Sequence, residues 1–138
     1  MIDCLRRVAE NARAVYVLLG GYLLTLGFLS LNPWIRPETR PGVLSPDKFD
    51  HAFAYAGLCT MLYLALRAYP LRRDGQAWAA ALLGATVIGI LVEIAQGLFT
   101  TNRTPSLDDA IANAIGAVCG FIGFQLLCWL WRYRRSGS

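Results

Sequence analysis

Histidine is almost missing from this chain: His51 is the only one. The four cysteines, Cys4, Cys59, Cys119 and Cys128, show no Cys-x-x-Cys spacing. With one imidazole and no thiol pair, neither a metal site nor a cofactor is expected. No serine or cysteine sits beside His51 in sequence, so no covalent nucleophile is visible. No basic stripe runs along the chain; its basic residues lie in short clusters between apolar runs, which argues against nucleic acid as a partner. Internal repeats of about 20–50 residues are absent, as are low-complexity linkers. Cys4 has no apolar stretch before it, which speaks against a lipoprotein cleavage site. Cys59, Cys119 and Cys128 lie inside apolar runs and are expected to act as small buried apolar residues.

What is abundant is apolar sequence. The 138 residues, enough for one domain (1–138), are 56% hydrophobic, above the roughly 45–50% of soluble domains. The excess is concentrated in four runs. Val15–Leu31 follows Arg6, Arg7 and Arg13. A basic start before an apolar run is also how a signal peptide begins, but no A-x-A pattern follows. An uncleaved transmembrane helix is therefore expected, preceded by a short amphipathic surface helix over 1–13. Pro33, Pro37, Pro41 and Pro46 prevent regular helix over 32–47. The other runs are His51–Leu66, Gly75–Phe99 and Ala110–Trp131. A span needs about 20 mainly apolar residues, so the second run reaches across only if its polar start is partly immersed. The expected fold is all-α: a polytopic membrane bundle with transmembrane helices at about 15–31, 50–67, 76–99 and 106–131.

Lysine and arginine set the orientation. Nine of the 13 lie in the N-terminal tail, the second connection and the C-terminal tail; Arg36, Arg40, Lys48 and Arg103 lie on the other side. The positive-inside rule then puts both termini in the cytoplasm. The inner end carries arginines and Asp74, read as solvated.

The outer end holds the costly groups. Asp47, Lys48 and His51 open the second helix, with Tyr55 one turn deeper. Glu93 and Gln96 lie near the end of the third. Asp109 and Asn113 lie on the first turns of the fourth, after Arg103. The i,i+3 and i,i+4 spacings put each pair on one helix face. Counting turns suggests an outer layer of Lys48, His51, Gln96, Arg103 and Asp109 over an inner layer of Tyr55, Glu93 and Asn113. Charged and amide groups at membrane depth point by default to a functional site. Bland alternatives exist for each: a Ser106/Asp109 cap, a snorkelling Lys48, an interhelical bond from Asn113, and an ion pair of Glu93 with Lys48 or Arg103. Ala112-x-x-x-Gly116-x-x-x-Gly120 is a small-residue face for close helix packing.

Two blocks resemble the VanZ-like membrane proteins: Asp47-Lys48-x-x-His51 with Tyr55 four residues on, and Glu93-x-x-Gln96 followed by Arg103-x-x-Ser106-x-x-Asp109-x-x-x-Asn113-x-x-Gly116-x-x-x-Gly120. The resemblance covers roughly residues 45–120. Ala52 stands where the family often has an aromatic and Asn102 where it often has Pro or Gly, and Asp50 is an added acid. The resemblance implies a small multi-pass protein of the bacterial cytoplasmic membrane, with its polar motif near the outer surface. It also implies a link to glycopeptide (teicoplanin-type) resistance, for which the family is named.

Three functions follow as expectations. The first is a non-enzymatic envelope factor whose outward pocket (Asp47, Lys48, His51, Tyr55, Glu93, Gln96, Arg103, Asp109, Asn113) binds a lipid headgroup, a lipid-linked cell-wall precursor or a lipophilic glycopeptide. In it, Lys48 and Arg103 contact phosphate or carboxylate. The second is an intramembrane enzyme acting on a lipid-linked substrate, with Glu93 or His51 as acid–base and Asp109 assisting. The third is a structural or assembly partner of another membrane protein, with the polar groups as internal glue.

Overall fold

A computed structural model describes residues 11–32, 46–68, 73–100 and 106–136. Four helices account for nearly all of them: α1 (Ala12–Leu31), α2 (Pro46–Arg67), α3 (Asp74–Phe99) and α4 (Leu107–Ser136). No strand occurs among the described residues. Each helix is long and apolar enough to cross a membrane. Lipid cannot satisfy backbone N–H and C=O groups, so a spanning segment must bond them internally, as a helix does. The expected amphipathic segment at 1–13 lies mostly outside the described residues.

Helix ends differ from expectation in one instructive place. The proline-rich stretch was expected to stay irregular to residue 47, yet α2 begins at Pro46. Proline is well suited to a first helical position, where its missing N–H costs nothing. The earlier start brings Asp47 and Lys48 into the helix and gives α2 its spanning length.

The helices alternate in direction. One end of the bundle, the polar end, is where α1 and α3 finish and α2 and α4 begin. The most extensive packing is between α2 and α4, which run parallel. A Cβ on Gly116 would overlap the Ala52 carbonyl oxygen, and one on Gly120 would overlap that of Ala56. Small residues at matched four-residue steps let the two backbones touch. The antiparallel α3 lies on this pair through a stripe of Ala77, Ala81, Ala85 and Gly89, all buried. Peripheral α1 buries only Val15 and Leu26. Two hydroxyls tie it to α2: Tyr16 donates to the Ala65 carbonyl at 3.2 Å, and Tyr22 to that of Ala54 at 2.6 Å.

At the opposite end, Tyr63 stacks on Trp78 with centroids 3.7 Å apart, and Phe121 and Phe124 close the cluster edge-on. The arginines there are not all solvated, as the sequence had suggested. Arg67 Nε lies 2.8 Å from Asp74 Oδ1, and the Tyr63 hydroxyl also donates to that carboxylate at 3.4 Å. The cysteines divide too: Cys59 is buried, but Cys119 is exposed and Cys128 half-buried. Lipid tails are as apolar as the protein interior, so an apolar run does not say which of its residues face inward.

The α2–α4 contact is testable. Gly116→Ala should destabilise the protein by about 1–3 kcal/mol, because the added methyl forces two backbones apart. Gly123 has open space around its would-be Cβ, so Gly123→Ala should be neutral or stabilise by up to about 1 kcal/mol through helix propensity. Thermal unfolding in detergent, followed by circular dichroism, reads both.

Candidate functional site

Helix periodicity gathers the polar residues. On α3 the buried stripe Ala85–Gly89 continues, four residues on, to Glu93, and Gln96 follows on the same face. On α4, Asn113 is three residues before Gly116, so the face that touches α2 carries it inward. On α2, His51 immediately precedes Ala52. The small-residue contact and the polar site are thus one surface, read at successive turns.

The resulting pairs cross from helix to helix. Lys48 Nζ forms an ion pair with Asp109 Oδ1. His51 Nδ1 lies 3.0 Å from Asn113 Oδ1. An amide oxygen only accepts, so the contact is a hydrogen bond in the tautomer that carries the proton on Nδ1. His51 Nε2 faces Asp47 Oδ1 at 3.9 Å. Ser106 N donates to Glu93 Oε2 at 3.3 Å, and Asp109 N donates to Ser106 Oγ at 3.4 Å. Ser106 therefore caps α4, and the Glu93 carboxylate sits at the positive end of that helix. Gln96 turns away from the cluster and donates to the Ser30 carbonyl on α1 at 3.0 Å.

Beneath these contacts lies a group of orphaned polar atoms. Tyr55 and Asn113 are each 1% exposed and Glu93 5%. The Tyr55 hydroxyl, Glu93 Oε1 and Asn113 Nδ2 have no hydrogen-bond partner among the described residues. Tyr55 and Asn113 converge on Gly89, whose would-be Cβ lies 3.1 Å from Tyr55 Cε1 and 3.2 Å from Asn113 Nδ2. Glu93 is one turn further along α3. Buried polar groups are normally satisfied, so an acceptor and two donors held together without partners are unusual.

The two expected layers are not separate: His51 of the outer set bonds Asn113 of the inner. Lys48 pairs with Asp109 and not with Glu93. Arg103 lies outside the described residues. A cleft also opens beside these residues. A cleft of about 1080 Å³ lies between α1 and α2, with Asp47, Asp50, His51 and Tyr55 in its lining. Glu93, Gln96, Asp109 and Asn113 are packed behind it on the α3–α4 side. Sequence reasoning did not assign a role to α1 or to Asp50. The signal available for α1 was Tyr22, a hydroxyl in the middle of an apolar run, which marks a helix–helix contact.

Three ligand atoms, from Asp47, His51 and Asp109, lie within 4.8 Å of one another and form the donor set a cation would meet. The Lys48 ammonium pairs with one of the three, the Asp109 carboxylate.

Comparison with protein-family models matches residues 23–131 to the family described as VanZ/LLP1. The chain belongs to the VanZ/LLP1 family. The match covers all of α2 and α3, most of α4 and the C-terminal part of α1, so it spans the whole described polar cluster of this VanZ/LLP1 protein. No curated protein and no solved structure matches the chain.

The Lys48–Asp109 pair gives a stability test. Both side chains are mostly covered, at 15% and 14% exposed. Removing either partner alone, by Lys48→Met or Asp109→Asn, should cost about 2 kcal/mol, between the values for surface and buried pairs. The double variant should lose less than the sum. A double-mutant cycle of thermal unfolding in detergent reads the coupling; strict additivity would show that the pair contributes nothing.

Proposed function

We propose that this protein is a non-enzymatic factor of the bacterial cell envelope. Its polar site binds a lipid headgroup, a lipid-linked cell-wall precursor or a lipophilic glycopeptide of the teicoplanin type. The observation that carries the reading is the juxtaposition at His51. One ring nitrogen faces Asp47 in the lining of a cleft that opens between membrane helices. The other is anchored to Asn113, beside the unpartnered Tyr55 and Glu93 atoms. A ligand head at the cleft mouth meets fixed acceptors, with a buried polar reserve directly behind them. Nine of 13 Lys and Arg residues flank the opposite end, which supports placing both termini in the cytoplasm and the site near the outer surface of the cytoplasmic membrane.

One feature supports a second reading, an intramembrane acid–base enzyme acting on a lipid-linked substrate. With Nδ1–H held by Asn113, a neutral His51 ring presents the lone pair of Nε2 towards the cleft, as a general base does. Glu93 then serves as a buried carboxyl behind it.

Expression in a susceptible bacterium should raise the teicoplanin concentration needed to stop growth. Glu93→Gln and His51→Ala should abolish that effect while the protein still accumulates in membranes; loss of accumulation would point instead to structural glue. Purified protein should bind a radiolabelled undecaprenyl-linked precursor without converting it. Turnover lost in Glu93→Gln would replace the binder by the enzyme. For orientation, Asn102→Cys should react with a membrane-impermeant maleimide in intact cells, and reaction only after permeabilisation would reverse the topology.

A further inference from the structure

The charge at the cleft mouth decides more about the ligand than the residue types suggested. Among the described lining residues, Asp47 and Asp50 are acidic and none is lysine or arginine. Asp50 is exposed. Lys48, next to Asp47 in sequence, makes its ion pair with Asp109. His51 Nε2 and Asp47 Oδ1, 3.9 Å apart, face each other with no other hydrogen-bond partner recorded for either atom among the described residues. In the tautomer that carries its proton on Nδ1, Nε2 accepts, as the Asp47 carboxylate does. The Asp50 carboxylate lines the same cleft. A protonated amine carries three N–H donors. A phosphate in the same place would meet two carboxylates of its own sign.

The rest of the cleft is shaped for hydrocarbon. From Val17 to Ser30 the α1 wall rises about 20 Å at about 1.5 Å per residue, more than half of the roughly 30 Å hydrocarbon core. Apart from Thr25 and Tyr22, whose hydroxyls are taken by the Gly21 and Ala54 carbonyls, that wall is apolar down to Ser30. Gly21 leaves open space, with no atom within 4 Å of its would-be Cβ. Val17 and Phe53, at the two lips, are 74% and 84% exposed, so the cleft opens sideways to lipid.

We propose that the α1–α2 cleft takes a single-chain amphiphile with a protonated amine head, entering sideways from the bilayer. The ammonium sits among Asp47, Asp50 and His51 Nε2. The chain lies along Leu18, Gly21, Phe53 and Met61. This rests on the binding function above and, among the ligands named there, favours one whose head carries an amine.

The probe is octadecylamine, added to the purified full chain in detergent and counted by native mass spectrometry. It should bind at least about tenfold more tightly than octadecyl phosphate, the scale of one charge-assisted hydrogen bond. It should exceed butylamine by a similar factor, which separates a membrane amphiphile from a free amine. Asp50→Asn should weaken it about tenfold. Gly21→Trp, which fills the cleft, should do the same, with helicity by circular dichroism unchanged in both. Equal binding of octadecyl phosphate overturns the amine assignment. Equal binding of butylamine overturns the chain groove. Indifference to Gly21→Trp in the folded protein overturns the location, and indifference to Asp50→Asn overturns the head contact. Loss of the amine preference while the Glu93→Gln effect on teicoplanin persists refutes this inference alone; the reverse pattern refutes the functional reading alone.

Discussion

Gly116 and Gly120 on α4 meet the carbonyls of Ala52 and Ala56 on α2 with no room for a side chain between them. Every other feature of the polar end inherits its position from this contact. Once the two backbones touch at these steps, the residues one turn earlier have no choice of neighbour. Lys48 reaches Asp109, and His51 reaches Asn113. The third helix then lies across the pair on its own stripe of alanines and Gly89, and that stripe leads to Glu93. Packing thus forces a carboxylate, an amide and a phenol into a space where apolar side chains would pack better. The bundle tolerates the cost at one end, while Tyr63, Trp78, Phe121 and Phe124 hold the other.

The bilayer explains the unequal roles of the helices. Within lipid there is no hydrophobic gain from bringing apolar helices together, so association depends on close packing and on polar contacts. The three helices that share small-residue faces form the tight unit. The first helix has Gly20, Gly21 and Gly27, but nothing approaches them within 4 Å. It is held by three side-chain hydrogen bonds, from Tyr16, Tyr22 and Gln96, and stands away along much of its length. The cleft is the consequence: α1 is a wall precisely where it is not packed. A loosely seated helix beside a rigid polar core is a workable arrangement for admitting a lipid-soluble ligand from the side.

Much of this was legible beforehand. Four apolar runs bounded by arginines and prolines read as four spanning helices, because length and hydropathy suffice for that inference. The family resemblance rested on polar residues at helical spacings, and those survive any small error in helix ends. What could not be read was pairing. Glu93 was the acid weighed as a partner for Lys48, and nothing in the spacing separates Asp109 from it. Gln96 looked like a member of the cluster, but the rotation of α3 turns it to Ser30 on α1. Cys119 sits in an apolar run as Cys59 does, yet one faces outward and the other inward.

Sequence alone therefore determined the number of helices, their alternating direction and which residues are costly at membrane depth. These depend on local composition and on periods of a single helix. Tertiary structure alone decided that the opening lies between α1 and α2, that Asp50 belongs to its mouth and that the lysine is already neutralised. These depend on how far each helix is rotated and how closely it sits. For α2 and α4 both were settled by a contact between backbone atoms; for α1 they follow from the absence of such a contact at its glycines.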